Sequence, residues 1–158
     1  MKAATLNELK KELTNLSAKE LIELCLRLAK YKKESKELLT YLIFESDNEA
    51  NYITAIKADI DEQFELLNTS NLYVAKKGLQ KIVRSISKYI KYSGIKQTEI
   101  EVLIYFCQML KRSGIRITQN TVIENLYNRQ LAKIEKALNT LHEDLQFDYQ
   151  QEIDTLYS

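Results

Sequence analysis

Apolar residues recur at every third or fourth position along the whole chain, which is the spacing of one face of a helix. Runs of β-branched residues, which are typical of strands, are few. Leucine and isoleucine supply most of the stripe, for example Leu6, Leu9 and Leu13, then Leu79, Ile82 and Ile86. This pattern predicts an all-α fold of about seven helices, arranged as consecutive antiparallel hairpins in an irregular bundle or a short α-α superhelix.

Helix boundaries are marked by capping signals. The segments Thr5–Glu8 and Ser17–Glu20 each begin with a hydroxyl residue and carry Glu three positions later, which predicts two reciprocal capping boxes. Gly94 and Gly114 each follow a serine and precede an isoleucine and a basic residue. Because a helix often ends at a glycine in the left-handed conformation, both glycines are predicted to end helices.

The C-terminal tract from Thr118 to Tyr157 is predicted to be a long helical segment, with a possible break near Asn128. Five of its apolar residues step by three and four, which is the spacing of a coiled-coil seam: Leu131, Ile134, Leu138, Leu141 and Leu145. Such a stripe either packs on its own domain or forms a homodimer. We expect the first, since amphipathic helices more often dock within their own chain.

Composition predicts one helical domain over residues 1–158. The chain has no proline and three glycines, so little in it interrupts helices. No apolar run approaches the ~20 residues that cross a bilayer, and no signal peptide is recognisable, so we expect no membrane partner and a cytoplasmic location. Cys25 and Cys107 lie in apolar helical patterns and are expected to be buried thiols in a reducing compartment.

Candidate catalytic chemistry is sparse. The one histidine, His142, has no motif beside it that supplies a nucleophile or an opposing acid. No two glycines lie close enough to form a phosphate loop, and the dispersed cysteines do not have zinc-ligand spacing. Acidic residues cluster between Glu45 and Glu65 and are expected to form a solvated face. We therefore predict no enzyme activity, no catalytic or metal-binding residues, and no cofactor.

The strongest positional signal is a row of cations on the fifth predicted helix. At about 100° per residue, its five members fall within about 80° of one another, opposite the apolar stripe. The row consists of Lys77, Lys81, Arg84, Lys88 and Lys91. Tyr73 and Tyr92 lie near it, and no acid occurs between Glu65 and Glu99. These five cations and Tyr92 are the predicted partner-binding residues.

Like charges in one row repel one another, so an opposite charge should offset them. The formal net charge of +1 favours an internal match with the acidic fourth helix. The alternative is an external polyanion, with tyrosine rings available for stacking on bases. The leading hypothesis is a non-enzymatic binding or scaffold protein with a protein partner. The second hypothesis is a nucleic-acid-binding protein that uses the row, and an enzyme or small-ligand carrier with a pocket between helices is the third.

The first half of the chain resembles an uncharacterised family of small bacterial proteins, found largely among Bacteroidetes. The resemblance lies in four leucine-rich segments, at residues 9–13, 20–24, 36–42 and 75–79, which read LKKEL, ELIEL, KELLTYL and AKKGL. The C-terminal half departs from the family's pattern. The resemblance implies a bacterial, cytoplasmic, helical domain and implies no activity.

Overall fold

The computed structural model describes residues Met1–Ser158 and contains helices and no strands, which confirms the all-α prediction. The eight α-helices are α1 Leu6–Thr14, α2 Ala18–Tyr31, α3 Lys33–Thr40, α4 Glu49–Glu65, α5 Leu72–Ser93, α6 Lys96–Arg112, α7 Thr121–Leu138 and α8 Glu143–Tyr157. A π-helical turn at Tyr41–Glu45 follows α3, and a 3₁₀ turn at Ile117–Gln119 precedes α7. The chain divides into two compact units, Met1–Phe44 and Glu45–Ser158. The prediction of one domain over residues 1–158 stays a prediction.

The N-terminal unit consists of α1, α2 and α3, of which α2 and α3 contact each other. Both predicted capping boxes are present, because the hydroxyls of Thr5 and Ser17 accept from the backbone N–H of Glu8 and Glu20. None of the residues of these three helices is buried. The amphipathic pattern that predicted them is therefore correct for helix formation, whereas their apolar stripes remain accessible.

The C-terminal unit holds nearly the whole core, and α6 lies at its centre. This helix contacts α4, α5, α7 and α8. Its buried residues include Ile100, Leu103, Phe106 and Leu110, none of which is more than 2% exposed. A helix that is apolar on several sides needs neighbours on several sides, and this explains why the other helices of the unit pack around α6.

Polar contacts fix the directions of α4, α5 and α6. Glu49, in the first turn of α4, accepts a hydrogen bond from Ser93 at the end of α5, so these two helices are antiparallel. Glu49 also accepts from Thr98 in the first turn of α6, so α4 and α6 start at the same end. The Phe64 and Phe106 rings, 5.8 Å apart, meet near the other end of both helices.

Both glycines predicted to end helices have positive φ angles, 68° at Gly94 and 79° at Gly114. The N–H of Gly94 donates to the carbonyl of Ile90 and closes the last turn of α5. Because L-residues with a side chain rarely adopt this conformation, glycine is required for the short connection from α5 to α6. This connection places the end of the cationic row beside the start of α6.

The C-terminal tract is divided at a different place from the one predicted. Helix α7 runs unbroken through Asn128, and the break falls at residues 139–142, which accounts for the eighth helix. There the hydroxyl of Thr140 donates to the carbonyl of Ala137, and His142 Nδ1 accepts from the N–H of Asp144 to cap α8. Polar caps at these positions end one helix and start the next, so the tract is not one continuous seam.

The five seam residues consequently do not share one helix. Leu131, Ile134 and Leu138 lie on α7 and are buried, whereas Leu141 lies in the turn and Leu145 on α8, both half-buried. The three residues on α7 already belong to the core of the C-terminal unit. The structure therefore gives these three residues an intramolecular role and shows that the stripe is divided between two helices and a turn, whereas the homodimer stays a prediction.

Candidate functional site

The cationic row lies along α5 on the side opposite its buried residues. Lys77, Lys81, Arg84 and Lys91 are exposed, and Lys88 is half-buried. Leu79, Ile82 and Ile86 on the other side of the helix are at most 1% exposed. From Lys77 to Lys91 the row is about 21 Å long at 1.5 Å per residue. The amphipathic pattern thus holds the row in solvent along most of a 22-residue helix.

None of these four exposed cations forms an ion pair within the chain. Salt bridges that lysines of the C-terminal unit form with other residues include Lys57 with Glu101, at 3.7 Å, and Lys96 with Glu99, at 2.7 Å. The expected internal match between the acidic fourth helix and the row is therefore not formed for Lys77, Lys81, Arg84 or Lys91. We call these four residues the basic face.

Two acids of α4 have other partners. Asp59 accepts hydrogen bonds from the hydroxyl of Tyr89, at 3.3 Å, and from the side-chain amide of Gln63, at 2.7 Å. Asp61 accepts from the hydroxyl of Tyr105 at 2.6 Å, and this hydrogen bond is the main reason that the pKa of Tyr105 is raised. These two carboxylates are thus engaged by tyrosine hydroxyls and an amide and not by the cations of the basic face.

Tyrosines flank the row at both ends. Tyr73 is 59% exposed, and the ammonium groups of Lys76 and Lys77 lie 4.9 and 4.6 Å from the centre of its ring. Cation–π contacts at this distance orient the two lysines and keep their charge at the surface. Tyr92, the predicted partner-binding aromatic residue at the other end, is half-buried. Of the two rings, Tyr73 is the more accessible for contact with a ligand.

A pocket of about 460 Å³ opens where the row ends, between α5, α6 and α7. Its polar lining includes four lysines, of which Lys91 belongs to the basic face and Lys96, Lys133 and Lys136 do not. Sequence reasoning missed the contribution of α7, since Lys133 and Lys136 lie over 40 positions beyond Lys91 in the chain. The sequence does indicate that Lys133 and Lys136 share one exposed side of an amphipathic helix, because they are three residues apart. Only the packing of α7 shows that this side faces the end of the cationic row.

The residues considered for catalysis or metal binding lie apart from one another. His142 is an exposed helix cap whose ring nitrogen is 3.5 Å from the carboxylate of Asp144, the residue two positions later. No group of three or more His, Cys, Asp or Glu side chains is placed to hold a metal ion. The expectation of two buried thiols is correct for Cys107 and wrong for Cys25, which is exposed. Burial raises the pKa of Cys107 to about 12.

Comparison of the chain with models of protein families, with curated proteins and with solved structures found no match. The resemblance of the first half to the Bacteroidetes family therefore stays a prediction. None of the helices has both the length and the apolar character that crossing a membrane requires.

Proposed function

We propose that this chain is a non-enzymatic binding protein of the cytoplasm, and that its basic face binds an anionic macromolecule, with nucleic acid as the partner that fits best. The observation that carries the proposal is the exposure of Lys77, Lys81, Arg84 and Lys91 without an acidic partner. Repulsion along such a row has a cost in stability, which an external polyanion would offset. Overall charge contributes little attraction at +1, so the local row would have to provide it.

The regular spacing of the cations supports nucleic acid over an acidic protein surface. Lys77, Lys81 and Arg84 follow one another at three or four residues, about every 5 Å along the helix, and Lys91 lies two turns further on. A linear polymer with one negative charge per repeat can meet such a row over its whole length. Acidic side chains on a folded protein are scattered in two dimensions, and they match a single row less well.

The experiment measures fluorescence anisotropy of a labelled single-stranded oligonucleotide over a series of salt concentrations. We expect the logarithm of the association constant to fall linearly with the logarithm of the salt concentration, by about 0.7 per phosphate neutralised. The variant Lys81→Glu with Arg84→Glu should lose at least tenfold in affinity and show a shallower salt dependence. The matched control, Lys10→Glu with Lys11→Glu, reverses two exposed charges on α1 and should bind as the parent chain does.

Polyglutamate serves as a competitor that represents an acidic protein. Displacement of the oligonucleotide only at high competitor concentration would support nucleic acid as the partner. Tight binding of polyglutamate together with no binding of the oligonucleotide at low salt would reject nucleic acid and favour the protein-binding hypothesis. Equal losses in the α5 and α1 variants would show that the basic face has no specific role.

A further inference from the structure

The pocket at the end of the row combines two kinds of surface. Its floor includes the apolar side chains of Leu103 and Ala137, each about 2% exposed. Its rim holds the ammonium-bearing side chains of Lys91, Lys133 and Lys136, each exposed and without an acidic partner. A floor without charge under a rim of three free cations is suited to a ligand with an apolar body and more than one negative charge.

The acid that lines the pocket does not cancel this charge. Glu99 is paired with Lys96 at 2.7 Å, and its side chain is only 18% exposed. This pair is neutral overall, so the three remaining lysines set the sign of the pocket. A ligand with a single carboxylate would leave two of these cations unmatched, whereas a phosphate chain would match all three.

We propose that this pocket binds a nucleotide, with the base against the apolar floor and the phosphates among Lys91, Lys133 and Lys136. Its volume, about 460 Å³, lies within the range of small-molecule sites, roughly 300–1,000 Å³. Two sources share this ligand chemistry: a free nucleotide, and the 5′-phosphorylated terminal nucleotide of a strand that lies along the basic face. The second source rests on the proposed function. Lys91 belongs both to the basic face and to the pocket lining, so a strand bound along the basic face could place its 5′ end in the pocket.

The fold accounts for the pocket. Gly94, in its left-handed conformation, ends α5 and allows α6 to start two residues later, so Lys91 and Lys96 lie at one edge of the pocket. Helix α7 contacts both α5 and α6, and its exposed side supplies Lys133 and Lys136 at the other edge. Two consecutive helices, α5 and α6, and the more distant α7 thus converge on one anion-binding site.

Calorimetric titration of the full chain with four probes tests the proposal. The probes are a nucleoside triphosphate without metal, inorganic pyrophosphate, and one short oligonucleotide with either a 5′-phosphate or a 5′-hydroxyl. We expect the triphosphate to bind at least tenfold more tightly than pyrophosphate, because only the nucleotide covers the apolar floor. A preference of fivefold or more for the 5′-phosphorylated oligonucleotide would identify a strand end as the source. Binding of the free nucleotide without that preference would identify the free nucleotide.

Two variants separate the pocket from the basic face. Lys133→Ala with Lys136→Ala should remove nucleotide binding and the 5′-phosphate preference, while salt-dependent binding of oligonucleotides along α5 persists. Lys81→Glu with Arg84→Glu should weaken the salt-dependent binding of oligonucleotides along α5, while binding of the free nucleotide in the pocket persists. All four side chains are exposed, so thermal unfolding of both variants should stay close to that of the parent chain.

The outcomes for the two proposals differ. If oligonucleotides fail to bind but the free nucleotide binds and depends on Lys133 and Lys136, the proposed function fails and the pocket assignment stands. If pyrophosphate binds as tightly as the nucleotide, the apolar floor does not hold a base and the assignment is overturned. It is also overturned if neither the nucleotide nor the 5′-phosphate is recognised, or if the Lys133 and Lys136 variant binds them unchanged.

Discussion

The hydroxyl of Tyr105 on α6 donates a 2.6 Å hydrogen bond to Oδ1 of Asp61 on α4. The ammonium group of Lys57, one turn earlier on α4, lies 5.4 Å from the centre of the same tyrosine ring and 3.7 Å from the carboxylate of Glu101. These contacts bind the acidic helix to α6. They explain why the Asp61 carboxylate, which the sequence pattern offered as a match for the cationic row, instead binds a side chain of α6.

The hydrogen bond between Tyr105 and Asp61 should contribute measurably to stability. We expect Tyr105→Phe to lower the free energy of unfolding by about 1 kcal/mol, since an intramolecular hydrogen bond is lost. The same substitution in an Asp61→Asn background should cost less, because the charged acceptor is already gone. Urea denaturation of the parent, the two single variants and the double variant measures the coupling energy between Tyr105 and Asp61. Tyr73→Phe, at an exposed ring, is the control and should change stability by less than about 0.5 kcal/mol.

The apolar residues of α7 should act in the core of one chain. Ile134 is fully buried, so Ile134→Ala is expected to lower the free energy of unfolding by about 2–5 kcal/mol. Because the contacts are intramolecular, the denaturation midpoint should be the same at protein concentrations that differ tenfold. Ala132→Ser, on the exposed side of the same helix, is a control of small effect. A midpoint that rises with concentration would instead indicate a dimer.

The two cysteines should differ in their reaction with a thiol reagent. In the native protein one thiol, Cys25, should react quickly because it is exposed. Cys107 should react only after unfolding, because it is buried and its pKa is raised to about 12, so almost no thiolate forms at neutral pH. The absorbance of the chromophore that the reagent releases should therefore correspond to one thiol per chain without denaturant and to two thiols per chain with denaturant. In the Cys25→Ser variant, rapid labelling before unfolding would contradict this assignment.

Stability should decrease at high pH through Tyr127. Burial raises the pKa of this tyrosine to about 12, and its hydroxyl donates a 2.6 Å hydrogen bond to the carbonyl of Leu156. In the unfolded chain the pKa is about 10, so the unfolded state loses its proton first as the pH rises. The contribution of Tyr127 is therefore complete below about pH 10 and is lost progressively towards about pH 12.

Tyr127→Phe isolates this effect from the titration of other groups. The variant should be less stable than the parent at pH 8, by about 1 kcal/mol, because the hydrogen bond to Leu156 is missing. The difference should shrink or change sign by pH 11, because Tyr127 of the parent then ionises in the unfolded state but not in the folded state, and phenylalanine cannot ionise in either. Urea midpoints at pH 8, 9, 10 and 11 provide the comparison, and a constant difference across this range would refute the shifted pKa.

Local signals in the sequence determined the helices and several of their ends. The capping boxes at Thr5 and Ser17 and the glycine ends at Gly94 and Gly114 each depend on residues within one or two turns, so spacing alone is informative. The break at residues 139–142 was missed because it depends on side-chain caps from Thr140 and His142, whose residue types also occur inside helices. The apolar pattern likewise identified the amphipathic faces of α1 and α2 but could not show that they remain accessible.

The row from Lys77 to Lys91 was visible in the sequence because its members share one helix, and helical spacing fixes which residues share a face. That Lys77, Lys81, Arg84 and Lys91 form no ion pair was decided only by tertiary structure, because packing directed Asp59 and Asp61 to tyrosine hydroxyls. The pocket depends on packing in the same way, since Lys133 lies beside Lys91 only when α7 packs on α5 and α6. The sequence by itself thus determined what each helix presents, whereas long-range packing decided which charges meet and which remain free.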